Sequence, residues 1–169
     1  ARIIPKTDIL IEDEKIAKIS PNIRPLDKMK IIDGQNQVAL PGLVNCHTHA
    51  AMTLFRGFAD DLPLRVWWEK RLLPAEEKLV SSDVYWGSLL ACAEMIAAGI
   101  TTFNDMYWYP EATSQAVEDS GLRGCISAVV VGLKKDWQKD LEAGSEDLLT
   151  KFPPERHPRI KVWLGPHAP

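Results

Sequence analysis

Two histidines with one residue between them, His47 and His49, stand at the end of a short apolar run, Leu43-Val44, in a chain of 169 residues. Successive side chains of an extended strand alternate faces, so the two imidazoles point the same way while Cys46 and Thr48 point the other. At about 3.3 Å rise per residue their Cα atoms lie roughly 6.6 Å apart. Two rings at that spacing can converge on one divalent ion through Zn–N bonds of about 2.0–2.1 Å. A bare His-x-His is short, and alone it reads as an ordinary histidine pair. Its setting changes that: Val38-Ala39-Leu40 is a strand run, Pro41-Gly42 bends the chain, and the histidines arrive where the strand meets a polar loop.

The stretch Val38 to His49, continued by Ala50-Ala51-Met52-Thr53-Leu54-Phe55-Arg56-Gly57-Phe58-Ala59-Asp60-Asp61-Leu62-Pro63-Leu64, resembles the amidohydrolase superfamily. The similarity is to the branch of 5′-methylthioadenosine and S-adenosylhomocysteine deaminases and related chlorohydrolases. Thr101-Thr102-Phe103-Asn104-Asp105-Met106-Tyr107 and Leu164-Gly165-Pro166-His167-Ala168-Pro169 resemble the same branch, so the likeness runs nearly end to end. It implies an α/β fold: the first half of a metal-dependent (β/α)8 barrel over 41–169, truncated after its fourth strand, preceded over 1–40 by part of a small β-sandwich.

The resemblance further implies hydrolytic deamination of adenosine-type nucleosides. Zinc, or another divalent transition metal, would be held by His47 and His49. A further His and an Asp complete that metal site in the family and a Glu shuttles protons, all expected beyond residue 169. Trp67 and His167 take the places of substrate-contacting residues, and Trp68 is left to the core. The metal would lower the pKa of its water to about 7. Attack at C6 of an aminopurine and proton delivery to the leaving amine would then release ammonia. Ala128 stands where several relatives carry an arginine for the polar tail of S-adenosylhomocysteine, which favours a less polar substrate such as 5′-methylthioadenosine. The alternative zinc design, H-x-E with P-C-x-x-C, is absent.

These residues need elements to hold them. Ile9-Leu10-Ile11 and Lys15 to Ile19 flank Glu12-Asp13-Glu14 as an antiparallel hairpin, and Ile31-Ile32 and Val38-Ala39-Leu40 continue the strand pattern. After a charged, aromatic loop from Arg56 to Glu69, Ser82 to Ala98 reads as a helix capped by Ser82 and closed by Gly99, with Val84, Ser88, Ala91, Met95 and Ala98 on one stripe. Ile100 to Met106 is the next strand, with Asp105 near its end as a functional carboxylate or as one that holds a loop or a neighbouring imidazole. A helix opens at Pro110 and closes at Gly121, Arg123 to Val131 is a strand, Trp137 to Phe152 a helix, and Ile160 to Leu164 a strand followed by His167. His157 lies in a polar loop as an exposed bystander.

A net charge of −3 with no basic block argues against a nucleic-acid surface. No apolar run reaches membrane-spanning length, and the cysteines, three in number, lack CxxC spacing, which points to reduced thiols in a cytoplasm. The expected partner is a small-molecule substrate, and the full-length protein is expected to be a homo-oligomer. A complete barrel takes about 250 residues, so 1–169 is expected to be part of a longer enzyme and inactive alone. Two other functions stay open: guanine deamination or triazine dechlorination on the same fold, and a non-catalytic truncated barrel that associates through its unpaired strand edges.

Overall fold

A computed structural model describes residues 3–131 and 137–168. The chain divides into two compact units, Ala1–Leu40 and Pro41–Pro169. In the first, β1 (Asp8–Glu12) pairs antiparallel with β2 (Lys15–Ser20). The turn between them carries Asp13 at φ 55°, a left-handed conformation that Asp tolerates. The strands expected at Ile31-Ile32 and Val38 to Leu40 do not form. Ile32 and Leu40 are each 79 % exposed. An extended segment becomes a strand only when another backbone takes up its N–H and C=O groups, and none among the described residues does so here.

The second unit is a four-stranded parallel sheet in sequence order: β3 (Leu43–Thr48), β4 (Ile100–Tyr107), β5 (Arg123–Val131) and β6 (Ile160–Ala168). Between β3 and β4 come a 3-10 turn (Ala50–Phe55), α1 (Leu64–Trp67), a π-turn (Trp68–Leu72), α2 (Leu73–Glu76) and α3 (Ser81–Ala97). Thus the stretch read as a loop from Arg56 to Glu69 is a loop only as far as Pro63 and is helical from Leu64 on. Next, α4 (Pro110–Ser120) joins β4 to β5, and α5 (Trp137–Lys151) joins β5 to β6. Each connection returns the chain to a parallel neighbour through a helix, as a parallel sheet requires. This is the amino-terminal half of a (β/α)8 barrel.

Helix α3 begins one residue earlier than the sequence suggests, because Asp83 and not Ser82 does the capping: its Oδ2 accepts the Val80 N–H at 3.1 Å. Gly99, at φ 76°, ends the helix as expected. Val84, Ser88, Ala91 and Met95 are buried, whereas Ala98 at the frayed end is exposed. Along β4, Phe103, Asp105 and Tyr107 are buried and alternate with partly exposed residues. Phe103 packs with Cys92 and Met95 of α3, Val117 of α4 and Ile126 of β5, so this buried side of β4 faces the helices. Met106 and Ser127 lie against Gly165 on the opposite, open face. Among the described residues no helix is long and apolar enough to cross a membrane.

Candidate metal and substrate site

The register of β3 against β4 decides where the histidines point. Asn45 pairs with Phe103 and Thr48 with Asp105, so three steps along β3 match two along β4. This is a bulge, the device that re-aims side chains next to sites. Since Phe103 and Asp105 face the helices, Asn45 and Thr48 do too, and both line a groove against Ala91 and Met95 of α3. His47 and His49 flank Thr48 and turn their rings to the open face, where the His49 ring meets those of His47 and His167, while His49 also borders the groove. A strand of unbroken alternation would have put Asn45 on their side as well. The two rings lie edge to face, centroids 5.0 Å apart at 77°.

His49 sits just past the end of β3, where its Nδ1 is 2.7 Å from the Met106 carbonyl oxygen. A carbonyl can only accept, so Nδ1 carries a proton, and in the neutral ring Nε2 is then the nitrogen with a free lone pair for a ligand. That is the tautomer of a metal-binding histidine. Beside it lie the ring of His167, at 5.7 Å between centroids, and that of Tyr107, at 6.0 Å. His167 lies inside β6, which runs four residues beyond the expected strand, to Ala168. It is exposed, as is His47, while His49 is half-buried. Three imidazoles thus gather at the C-terminal ends of parallel strands, the end at which barrel sites are built.

The donor set fits a divalent transition metal in part. Two imidazole nitrogens suit zinc, but a catalytic zinc needs a third protein ligand. Among the described residues no group of three or more His, Cys, Asp or Glu side chains is arranged to hold an ion.

Asp105 takes no place on the open face. Its fully buried carboxylate points to the helices, where Oδ1 accepts the Ala50 N–H at 2.6 Å and the Thr48 hydroxyl at 2.9 Å. That hydroxyl has one proton and lies 2.8 Å from the Asn104 carbonyl as well, so the two acceptors share it. Burial pushes the carboxyl up to about 6, against the opposing pull of the Ala50 N–H, the Thr48 hydroxyl and the two imidazoles. Of the roles open to it from sequence, the structure shows the one that holds the loop.

Trp67 ends α1 half-buried, and no ring contact joins it to the imidazoles among the described residues. Trp68 is 38 % exposed and not in the core. The π-turn that begins at Trp68 adds a residue to the helical turn, and Leu72 becomes the buried residue there. His157 is a structural residue: its Nδ1 lies 3.3 Å from Glu118 Oε1 and its ring packs edge-on to Phe152. Ala128 is buried on the helix side of β5, and a Cβ on Gly144 of α5 would come within 2.9 Å of its methyl. A longer side chain there would start against α5, on the face of the sheet opposite the imidazoles.

Sequence reading missed two residues beside this cluster. Glu76 Oε1 accepts the Tyr107 hydroxyl at 2.7 Å and its Oε2 accepts the Trp108 indole N–H at 3.2 Å. Burial first, then Glu76, holds the Tyr107 phenol well above its ordinary pKa, so it remains a neutral donor. Glu76 lies in the charged run Glu76-Glu77-Lys78, which reads as a solvated face; only the burial of Tyr107 between strand and helices gives it a partner.

The Amidohydrolase family profile matches residues 38–169. A 5-methylthioadenosine/S-adenosylhomocysteine deaminase of Carboxydothermus hydrogenoformans is 50 % identical over 97 % of this chain and 38 % of its own length. A 5′-deoxyadenosine deaminase of Methanocaldococcus jannaschii is 45 % identical over 97 % of this chain and 40 % of its own. The crystal structure of a zinc-bound adenosine deaminase from Xanthomonas campestris superposes with a TM-score of 0.76 at 27 % identity, covering 96 % of this chain and 38 % of that one. The chain therefore spans about two fifths of the length of the relatives it matches.

Proposed function

We infer from the membership of this chain in the amidohydrolase family that it supplies the first half of a zinc-dependent deaminase site for 5′-modified adenosine nucleosides. Units 1–40 and 41–169 are then the start of a small β domain and the first half of the barrel. The observation that carries the reading is the pair of imidazoles on the open face, one with its Nδ1 proton committed to the Met106 carbonyl. The names of the relatives, 5-methylthioadenosine/S-adenosylhomocysteine deaminase and 5′-deoxyadenosine deaminase, support the substrate class.

In this reading His47 and His49 hold the metal, His49 through Nε2. Bound zinc supplies an acidified water at neutral pH. The balance of the reaction is a C–O bond formed and a C–N bond broken at C6 of the purine, with ammonia leaving. His167 contacts the substrate from the end of β6 and Trp67 walls the pocket. The Met106 carbonyl fixes the ring plane of His49, and helix-side packing keeps the strand ends in register. In this reading the remaining ligands and the proton-transferring carboxylate lie on later strands, beyond residue 169. The free thiols of Cys46, Cys92 and Cys125 support a reducing compartment such as the cytoplasm.

The test is a panel of 5′-methylthioadenosine, S-adenosylhomocysteine, 5′-deoxyadenosine, guanine and a chlorotriazine, offered to a protein carrying this chain at the length of its relatives, with released ammonia and chloride measured. Ammonia from the adenosine compounds, lost to background in His49→Ala, is the expected result. Chloride release, preference for guanine, or full activity in His47→Ala and His49→Ala would overturn it.

A further inference from the structure

We propose that Asp105 is the positioning residue of His49: a buried carboxylate that grips the two residues flanking the imidazole and so sets the ring against the Met106 carbonyl. This rests on the reading of His49 as a metal ligand. Three contacts converge there. Asp105 Oδ1 takes the hydroxyl of Thr48, one residue before His49, and the N–H of Ala50, one residue after it. The next residue of the same strand, Met106, takes the ring Nδ1–H. The end of β4 thus holds His49 by both neighbours and by its ring.

The local backbone shows why a clamp is needed. His49 has φ −125° and ψ 76°, neither strand nor helix, and it precedes the 3-10 turn without donating a side-chain cap. The first N–H of that turn, on Ala50, would be an orphan donor in a buried place. A histidine committed to a ligand cannot cap it. Asp105 supplies the cap from across the sheet, and because it also holds Thr48 the cap fixes the backbone on both sides of one residue. The bulge and the carboxylate are therefore parts of one arrangement: the bulge turns Thr48 toward the helices, where Asp105 waits, and leaves His47 and His49 on the open face.

A merely structural carboxylate would alter stability alone; a positioning one also alters the imidazole. The experiment uses the full chain, with histidine side chains labelled with 15N, to read the tautomer of His49, and a zinc titration against a chelator. In the original protein His49 carries its proton on Nδ1. In Asp105→Ala the Nε2–H form appears and zinc affinity falls about 10–100-fold, the usual effect of removing a group that orients a metal ligand. Asp105→Asn keeps Oδ1 as an acceptor and restores most of both. If Asp105→Ala does not fold, Thr48→Val removes one of the two contacts and shifts the tautomer in the same direction. Ser88→Ala, which breaks the buried Ser88–Thr113 hydroxyl pair, lowers stability without moving the tautomer. An unchanged His49 signature and unchanged zinc affinity in folded Asp105→Ala or Thr48→Val would overturn the proposal. Absence of zinc binding by the original protein at the length of its relatives would instead overturn the metal reading, and the tautomer would still decide the role of Asp105.

Discussion

Replacing Gly87 by alanine sets two effects of known size against each other. Gly87 lies inside α3, where alanine is favoured over glycine by about 1 kcal/mol. A Cβ there, however, would lie 2.7 Å from the Ala51 carbonyl oxygen, 3.1 Å from its Cα and 2.9 Å from Leu54 Cγ. The nearest obstacle is backbone and not the end of a flexible side chain. That backbone has little room to yield, because Ala51 is fully buried and follows Ala50, which Asp105 holds. Overpacking costs about 1–3 kcal/mol, and against buried backbone the upper part of that range, about 2–3 kcal/mol, applies; set against about 1 kcal/mol of helix propensity, this leaves a net loss of about 1–2 kcal/mol. At roughly 2–4 °C per kcal/mol for a chain of this size, Tm falls by about 2–8 °C. The 3-10 turn that must move begins one residue after His49, and its Thr53 hydroxyl bonds the Gly87 carbonyl at 2.7 Å. Zinc affinity therefore falls together with Tm. Thermal unfolding by circular dichroism and a zinc titration check both. A Tm at or above that of the original chain would refute the argument that contact between α3 and the turn sets the position of His49.

Phe103 is fully buried at the centre of the helix-side core, so Phe103→Ala should cost about 3–5 kcal/mol in chemical denaturation; a loss below about 1 kcal/mol would show that the core lies elsewhere. Glu76→Ala leaves the Tyr107 hydroxyl and the Trp108 indole N–H without their acceptor, at about 1–3 kcal/mol for a buried unsatisfied group; unchanged stability would show that water replaces the carboxylate at no cost. The Tyr107 pKa is raised in the fold, so the folded chain keeps a proton that the unfolded chain releases near pH 10. The stability this gives is complete below that pH and is lost as pH rises further. An absorbance titration should show a phenol that ionises only as the chain unfolds, and Tyr107→Phe should remove it and flatten the alkaline fall in stability. Ionisation of all the tyrosines in the folded chain would contradict this.

The elements that can be read from local pattern were legible. The hairpin around Asp13 follows from turn chemistry, β5 from a continuous apolar run, and α4 from Pro110 at its start and Gly121 at its end, the latter at φ 75°. The strands expected at 31–32 and 38–40 fail because strand formation needs a partner backbone, which composition cannot report. The helical path through 64–76 was missed because Pro63, Pro74 and the run of charges look like loop punctuation. For the site, spacing at a strand end singled out His47 and His49 and the family resemblance singled out His167, and the structure gathers all three rings. It corrects Trp68 and Ala128, whose faces depend on a π-turn and on packing against α5.

By itself the sequence determined which chemistry is available: two imidazoles at strand spacing, and a parallel α/β order to carry them. Only the tertiary structure decided their aim and their proton. The bulge against β4 sends Thr48 to Asp105 and the histidines to the open face, and the Met106 carbonyl places the proton on Nδ1 of His49. Alternation along one strand is local and can be counted. Register between two strands is a contact between segments more than fifty residues apart, and no count along either one contains it.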